Sequence, residues 1–478
     1  MKFVRRFSLC AVIGVLPPLS IYADERDDRI RALEQRLEIL EKRLGVKADG
    51  ETGAAEPGKS EPPKPMPTLS IGSSGFQIRS ADTNFALKFR GLLQVDSRWY
   101  VDDGGIENND GFVLRRARPI LEGTVFRDFE FRFTPEFGGS STTIRDAWFS
   151  YNYNDALQWV VGKMKPPAGL ERRQAAANIP FIERSLVSTL WPTRELGVML
   201  QGELWPGGDA DTQRLASSGL VHYGLGVFNG TGDGRAGANG DFDGKPEFAG
   251  RLFFHPFLGT SREIFKGIGL GLSGTYGMTE GLASLPDGGA YATEGQQDMF
   301  SYLSGDGTTP ATASVTADGL RWRVGPQMYW YAGPFGLLSE YGISSQKLRR
   351  DDGTVTTEQL RHEAWSLMAS WLVTGENATF RGVTPKRSFD PRAGGLGALQ
   401  FVARYSLLDL DDDSFPTFAD PTESATSANA WGVGLNWYLN RNVRASINFL
   451  RTEFEGGDSG AVTRQPENVF LTRVQLAF

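Results

Sequence analysis

The fold is decided by residues 431–454, WGVGLNWYLNRNVRASINFLRTEF, in which apolar side chains occupy every second position. The apolar face of the first half consists of Trp431, Val433, Leu435, Trp437 and Leu439. After a short turn at residues 440–442 the alternation resumes at Val443, which predicts two strands of a β-hairpin. Tryptophans at both ends of an apolar face are typical of the aromatic girdles of a transmembrane β-barrel.

The same two-residue period recurs through the rest of the chain. The sixteen candidate strands are 84–100, 111–125, 128–138, 143–153, 156–165, 194–205, 219–230, 246–257, 266–279, 319–332, 335–349, 358–374, 396–410, 428–439, 442–455 and 466–478. Short turns are periplasmic and long loops extracellular in such barrels, and residues 279–319 and 374–396 are the long connections. We predict an all-β fold, a 16-stranded antiparallel transmembrane β-barrel over residues 73–478 with an aqueous lumen.

Composition agrees with one large sheet. The chain has 478 residues, of which 58 are glycine, 12% are aromatic and 22% are charged, so it is rich in turns without the composition of a disordered protein. No run of 18 apolar residues follows the first twenty positions, which excludes a bundle of transmembrane helices. The last strand ends in Phe478, a pattern that resembles the carboxy-terminal strand of bacterial outer-membrane barrels.

The amino-terminal residues predict export. Residues 1–23 begin with a basic stretch, continue with an apolar stretch and end in small residues, which is the pattern of a signal peptide. Cys10, the only cysteine, lies inside this segment, so the mature chain is expected to contain no thiol. Removal of the segment changes the net charge from −7 to −10, because it takes away three cations and no acids. We therefore expect no nucleic-acid partner, and any attraction for anions must be local.

Residues 24–46 predict a helix that associates with copies of itself. Ile30, Leu33, Leu37, Leu40 and Leu44 follow the 3–4 spacing of a coiled-coil seam. The alternative is an amphipathic helix packed against its own chain, but the following residues 47–72 are rich in proline and glycine and predict a semi-extended linker. The even strand count places the coiled coil in the periplasm of a bacterial outer-membrane protein.

Seven stretches together resemble the phosphate-selective porin O and P family. In chain order they are GFVLRRARPILEGTVFRDFEFRF, TIRDAWFSYNY, VVGKMKPPAGLERRQ, FIERSLVSTLWPTRELGVML, SLMASWLVTGE, FVARYSLLDL and GVGLNWYLNRNVRASINF. Their number and order make the resemblance specific. It implies a homotrimeric 16-stranded porin embedded in outer-membrane lipid, whose third extracellular loop folds into the lumen and whose lysines and arginines draw small anions such as phosphate through the channel.

One cation-rich segment supports an anion path. Between Val161 and Arg194 there are six cations and two acids, in a segment too long for a hairpin turn, so this is the expected infolded loop. A second cluster begins the second strand, where Arg115 faces away from its neighbours unless a bulge intervenes. The candidate pore residues are Arg115, Arg116, Lys163, Lys165, Arg172, Arg173, Arg184 and Arg194. The alternative is that these arginines only pair with nearby glutamates of the lumen wall.

The sequence also departs from the phosphate-selective pattern. Residues 279–320 contain six acids and no lysine or arginine, where those members carry an arginine ladder. Glu130 replaces a lysine and Arg145 replaces an acid. Three alternatives stay open: an anion-preferring porin, a general porin without phosphate selectivity, and a barrel that only anchors the coiled coil. The three histidines are far apart and no catalytic or metal-binding motif is present, so no enzymatic activity, cofactor or metal is expected.

Overall fold

The computed structural model describes residues 66–101, 110–139, 141–206, 219–458 and 463–478. The predicted signal peptide, the predicted coiled coil and the linker up to residue 65 lie outside these residues. Among the helices of the described residues, none is long and apolar enough to cross a membrane.

Twenty strands occur in the described part of the chain. They are β1 (Thr68–Gly72), β2 (Gly75–Arg79), β3 (Ala86–Tyr100), β4 (Gly111–Val125), β5 (Phe129–Glu136), β6 (Thr143–Asn154), β7 (Leu157–Met164), β8 (Glu195–Pro206), β9 (Gly219–Phe228), β10 (Glu247–Phe254), β11 (Ile268–Gly281), β12 (Ala290–Ala292), β13 (Asp298–Ser301), β14 (Thr316–Ala332), β15 (Phe335–Asp351), β16 (Val355–Leu372), β17 (Ala398–Asp409), β18 (Ala425–Tyr438), β19 (Val443–Gly456) and β20 (Glu467–Ala477). All sixteen predicted strands are present, with ends that differ by a few residues.

Sixteen of these strands form a closed antiparallel barrel. Strands β3 to β11 and β14 to β20 pair in chain order, and β20 pairs with β3 from Val469↔Tyr100 to Ala477↔Leu92, which closes the sheet. Side chains alternate as the period of two predicted. On β20, Val474 is 62% exposed on the outer face while its neighbour Arg473 is 1% exposed on the lumen side.

Strands β1 and β2 correct the predicted linker boundary. Residues 68–72 lie within the segment predicted as linker, yet they form a hairpin with β2 across a two-residue turn at Ser73 and Ser74. The reason is local, because the prolines end at Pro67 and an alternating pattern of apolar residues begins there. β2 pairs with residues 86–89 of β3, a part of β3 that β20 does not reach.

The two ends of the barrel differ in their connections. We call the end that carries the turns at 126–128, 155–156, 333–334 and 439–442 the turn end, and the opposite end the loop end. Residues 373–397 join β16 to β17 at the turn end, although their length had suggested an extracellular loop. They are accommodated because they fold inward, where Gln174 donates to the Phe380 carbonyl at 2.8 Å.

The lumen contains one long connection from the loop end, residues 165–194, which we call the inner loop. Its backbone is held by inward side chains from strands on several sides of the barrel. Asn436 donates to the Pro180 carbonyl at 2.8 Å, and Arg473 donates to the Ile182 carbonyl at 2.7 Å. From β15, the Glu340 carboxylate accepts the backbone N–H groups of Leu170 and Glu171 at 2.8 and 3.1 Å.

The connection between β11 and β14 also enters the lumen and carries the small hairpin β12–β13. Glu294, between these strands, is 1% exposed, forms an ion pair with Arg404 and accepts a hydrogen bond from Ser406. Glu280 pairs with Lys245. Two of the six acids of residues 279–320 are therefore paired with cations from other parts of the chain.

Candidate anion channel

Two cavities lie in the lumen on either side of the inner loop. The loop-end cavity has a volume of about 490 Å³ and the turn-end cavity about 340 Å³. The cations that line the loop-end cavity are Arg115, Arg116, Arg118, Arg145, Lys165, Arg172, Arg184 and Arg194, against the four acids Glu183, Asp233, Glu294 and Asp298. Those of the turn-end cavity are Arg90, Arg118, Arg132, Lys165, Arg173 and Arg194, against Glu130 and Asp146.

The two cavities meet at four residues that line both: Arg118, Lys165, Ala176 and Arg194. Three of the four are cations. We call this junction the waist. A solute that moves between the cavities passes these three cations, so the waist is the candidate selectivity element of the channel.

Two β-bulges aim arginines at the loop-end cavity. Gln94 pairs with Arg116 and Val95 with Leu114, which leaves Arg115 as the extra residue on β4. Arg145 is the corresponding extra residue on β6, between the partners of Thr134 and Pro135. An extra residue lets consecutive side chains approach the same face. The bulge on which the orientation of Arg115 depended is thus present.

Three of the arginines that line the loop-end cavity are paired with carboxylates. Arg115 contacts Glu183 through two hydrogen bonds, Arg118 pairs with Glu136 at 2.5 Å, and Arg194 pairs with Asp146 at 3.2 Å. For these arginines the alternative interpretation applies in part, because each of them forms an ion pair with a carboxylate inside the barrel. Arg116 differs, because its Nη1 donates to Gln94 at 2.6 Å and its buried Nε has no hydrogen-bond partner in the described structure.

Four cations of the inner loop are held by backbone carbonyls instead of carboxylates. Lys165 donates to the carbonyls of Arg173 and Gln174 at 3.0 and 2.9 Å. Arg172 donates to Ser188, Arg173 to Pro166, and Arg184 to Glu171 and Gln174. None of the four forms an ion pair with a carboxylate of the described residues. Carbonyl dipoles orient these side chains without cancelling their charge.

Burial affects the ionisation of these groups differently. Burial lowers the pKa of Arg172 and of Arg184, but a guanidinium keeps its proton throughout the physiological range. Burial, assisted by Arg194 and Arg184, also lowers the pKa of Lys165. Lysine is therefore the cation at the waist whose charge depends most on pH.

Seven of the eight predicted pore residues line one or both cavities. The exception is Lys163, which lines neither. Lys163 shares the face of β7 that carries Trp159, which is 46% exposed on the outer surface, and its Nζ donates to Asn239 at 2.9 Å. Lys163 itself is 7% exposed, and its role in the pore stays a prediction.

Glu340 and Arg404 are site residues that were not predicted from the sequence. Glu340 and Arg404 position the inner loop from the wall, and Arg404 also stacks over Phe181 at 4.1 Å from the ring centroid. Both lie at inward positions of strands that also carry buried apolar residues, such as Leu338 on β15 and Val402 on β17. The signal in the sequence was a charged residue at an inward-facing position of a predicted strand, but the residue that it contacts could not be derived from the sequence.

A closed 16-stranded barrel with a polar lumen narrowed by an infolded loop is the architecture of an outer-membrane porin, a class of channels and not of enzymes. The family model described as phosphate-selective porin O and P matches residues 85–254 and 296–478. The chain belongs to this family.

Individual relatives agree with the assignment. The chain is 23% identical over 441 residues to Porin O of Pseudomonas aeruginosa, covering 84% of this chain and 91% of that protein. An uncharacterized protein of Caulobacter vibrioides is 23% identical over 463 residues, with 89% and 84% covered. Among solved structures, the outer membrane channel DcaP of Acinetobacter baumannii superposes with a TM-score of 0.50 and 11% identity, covering 85% of this chain and 100% of that one. This last likeness concerns the fold.

Proposed function

We propose that this porin gives passive, anion-preferring diffusion of small solutes across the outer membrane. The observation that carries the proposal is the waist between the two cavities, where Arg118, Lys165 and Arg194 stand together. Arg172 and Arg184 add two cations on the loop side, and neither forms an ion pair with a carboxylate of the described residues. These charges act in a confined space with low-dielectric walls, where a local excess of one sign raises the concentration of counter-ions even in a protein that is acidic overall.

Phosphate is the finer part of the proposal. Arginine suits phosphate because its planar fork donates two parallel hydrogen bonds to neighbouring oxygens. The family description and the relative named Porin O support phosphate as a solute, whereas the missing arginine ladder argues against strict selectivity for it. The competing function is a general porin, and Glu130, which lines the turn-end cavity and forms no ion pair within the described part of the chain, favours this alternative.

The test is the conductance of the purified full-length protein in a planar bilayer. We expect the reversal potential in a KCl gradient to show chloride preference. Phosphate is then titrated against the chloride current. Block at low phosphate concentration supports phosphate binding, and anion preference without block leaves a general anion porin. A cation-selective reversal potential would refute the proposal, and the absence of channels would favour the anchor alternative.

We further propose that the protein is a homotrimer with its amino-terminal coiled coil in the periplasm. The heptad spacing of residues 30–44 supports self-association, and the number three is taken from the family resemblance. Native mass spectrometry of the detergent-solubilised protein, with and without residues 24–46, tests both points. A trimeric mass that persists after the deletion would show that the barrel itself is sufficient, and a monomeric wild type would refute the assembly.

A further inference from the structure

The lumen wall carries an apolar patch where a porin ordinarily has polar side chains. The patch consists of Trp148, Val160, Met164 and Met199, which all line the turn-end cavity. Val160 of β7 pairs with Met199 of β8 on one side and with Ser150 of β6 on the other. Trp148 lies two residues before Ser150 and therefore on the same face of β6. The four side chains are therefore contiguous over three neighbouring strands.

Small residues shape the space beside this patch. Trp148 pairs with Gly162, which pairs in turn with Gly197, so neither of these two positions carries a side chain of its own. At Gly197 an added Cβ would approach the Phe228 ring to 2.5 Å, so this aromatic side chain already occupies the space above the glycine. Phe228 is 2% exposed and does not line the cavity of about 340 Å³, so Trp148 provides the aromatic surface of that cavity.

Charged groups border the patch on the side of the waist. Arg118, Lys165 and Arg194 line the same cavity, and Asp146, next to Trp148 on the inner face of β6, pairs with Arg194 at 3.2 Å. On the other side the wall becomes polar again at Asn152, Gln158 and Gln201. An apolar surface bordered by cations matches a molecule with one anionic end and one apolar end.

We propose that the turn-end cavity is a binding site for organic anions with an apolar body, such as aromatic carboxylates. The carboxylate contacts the cations of the waist, and the body packs against Trp148 and its apolar neighbours. Inorganic phosphate or chloride uses only the cations, so the patch gives no advantage to these ions. This inference rests on the proposed function and specifies the solute class of the same channel. A cavity of about 340 Å³ has the size of a site for a small organic ligand, and its wall combines apolar side chains with charged groups that can fix the orientation of the ligand.

The test compares benzoate with acetate as blockers of the chloride current through the full-length channel. Both carry one carboxylate, and only benzoate has a ring. We expect benzoate to halve the current at about a fivefold lower concentration than acetate, the advantage typical of an aromatic contact. Trp148→Gln is expected to reduce this ratio to about one, whereas Trp148→Phe retains the aromatic surface and serves as the matched control.

Met199→Gln removes apolar surface from a different strand and replaces Trp148→Gln if that variant fails to insert. Equal half-blocking concentrations of benzoate and acetate in the wild type would overturn the inference. A ratio that is unchanged in both glutamine variants would overturn it as well. Both results are compatible with an anion-selective reversal potential in KCl, so they leave the proposed function standing. A cation-selective reversal potential would instead reject the proposed function and this inference together.

Discussion

Arg115 and Glu183 form a bidentate ion pair that joins the barrel wall to the inner loop. The Arg115 Nε and Nη2 atoms donate to the two carboxylate oxygens of Glu183 at 2.5 and 3.0 Å. Arg473 approaches the same carboxylate at 3.5 Å from β20. One acid of the loop therefore links two strands on either side of β3, because β4 and β20 are both neighbours of that strand. Removing one partner of such a buried pair leaves an uncompensated charge, which costs about 3–5 kcal/mol.

The pair predicts the acid sensitivity of the channel. Burial alone would raise the pKa of Glu183, but Arg115, Arg116 and Arg473 outweigh burial and hold the pKa well below its usual range. A carboxyl with a lowered pKa in the folded state stabilises that state above its unfolded pKa, and this stabilisation is lost as the pH falls through the folded pKa. We expect the thermal midpoint of the wild type, followed by circular dichroism in detergent, to decrease below about pH 4.3.

Glu183→Gln is the matched variant for this experiment, because it removes the titrating group and keeps the size of the side chain. We expect its thermal midpoint at neutral pH to be lower than that of the wild type and to depend less on acid. Parallel pH profiles for the two proteins would contradict a stabilising role of the Glu183 carboxylate.

Two neighbouring lysines give an internally controlled test of selectivity. Lys165 lines both cavities at the waist, whereas Lys163 lines neither and donates to Asn239. A unit charge about 6 Å from a passing ion in water is worth about 0.7 kcal/mol, or about threefold in permeability. We expect Lys165→Gln to reduce the chloride-to-potassium permeability ratio about threefold and Lys163→Gln to leave it unchanged. Equal effects of the two substitutions on the reversal potential would argue against the waist.

The selectivity is also expected to depend on pH. The pKa of Lys165 is lowered by burial and by its cationic neighbours, so this side chain loses its proton at a lower pH than an ordinary lysine. Loss of this proton removes a positive charge from the waist, so a rise in pH can only weaken the attraction for anions there. We expect the preference for chloride to weaken as the pH is raised from neutral, and Lys165→Arg to show a flat profile, since guanidinium does not titrate there. A profile of the arginine variant that matches the wild type would exclude Lys165 as the titrating group.

We predict that the inner loop loses its fixed position when its contact with Glu340 of β15 is weakened. Glu340 on β15 accepts two backbone N–H groups, from Leu170 and Glu171, and glutamine can accept only one of them with its single amide oxygen. A buried backbone N–H that loses its acceptor costs about 1–3 kcal/mol. We expect Glu340→Gln to increase open-channel current noise and to expose the loop to proteolysis. Glu358→Gln, at an exposed position of β16, is the control and should change neither readout.

The alternation of apolar residues predicted the wall of the barrel almost completely. Each strand has one face toward the bilayer and one toward the lumen, so apolar and polar residues alternate along it. This alternation can be recognised within each strand separately. The same parity puts Lys163 on the face of β7 that carries Trp159, whereas Lys165 follows the end of the strand, so that parity assigns it no face. The hairpin β1–β2 was missed because its preceding proline-rich residues dominated the composition of that region.

The contacts of the lumen could not be derived in this way. Arg115 and Glu183 are 68 residues apart, and Arg404 and Glu294 are 110 residues apart. Which cation keeps its charge and which is neutralised depends on the path of the inner loop, and that path is set by side chains from many strands at once. Even the orientation of Arg115 required a bulge, which shifts the parity without leaving a mark in the hydrophobic pattern.

The two cavities in series have a consequence for the flux of solutes. An anion held in one cavity and an anion arriving in the other share Arg118, Lys165 and Arg194, so the second occupant weakens the hold on the first. Mutual repulsion between neighbouring occupants allows a channel to attract ions firmly and still release them quickly. The flux of solute should therefore rise more steeply with solute concentration than the flux through a channel with a single saturable site. The number of anions bound in the two cavities, more than the width of the channel, then sets the rate of transport.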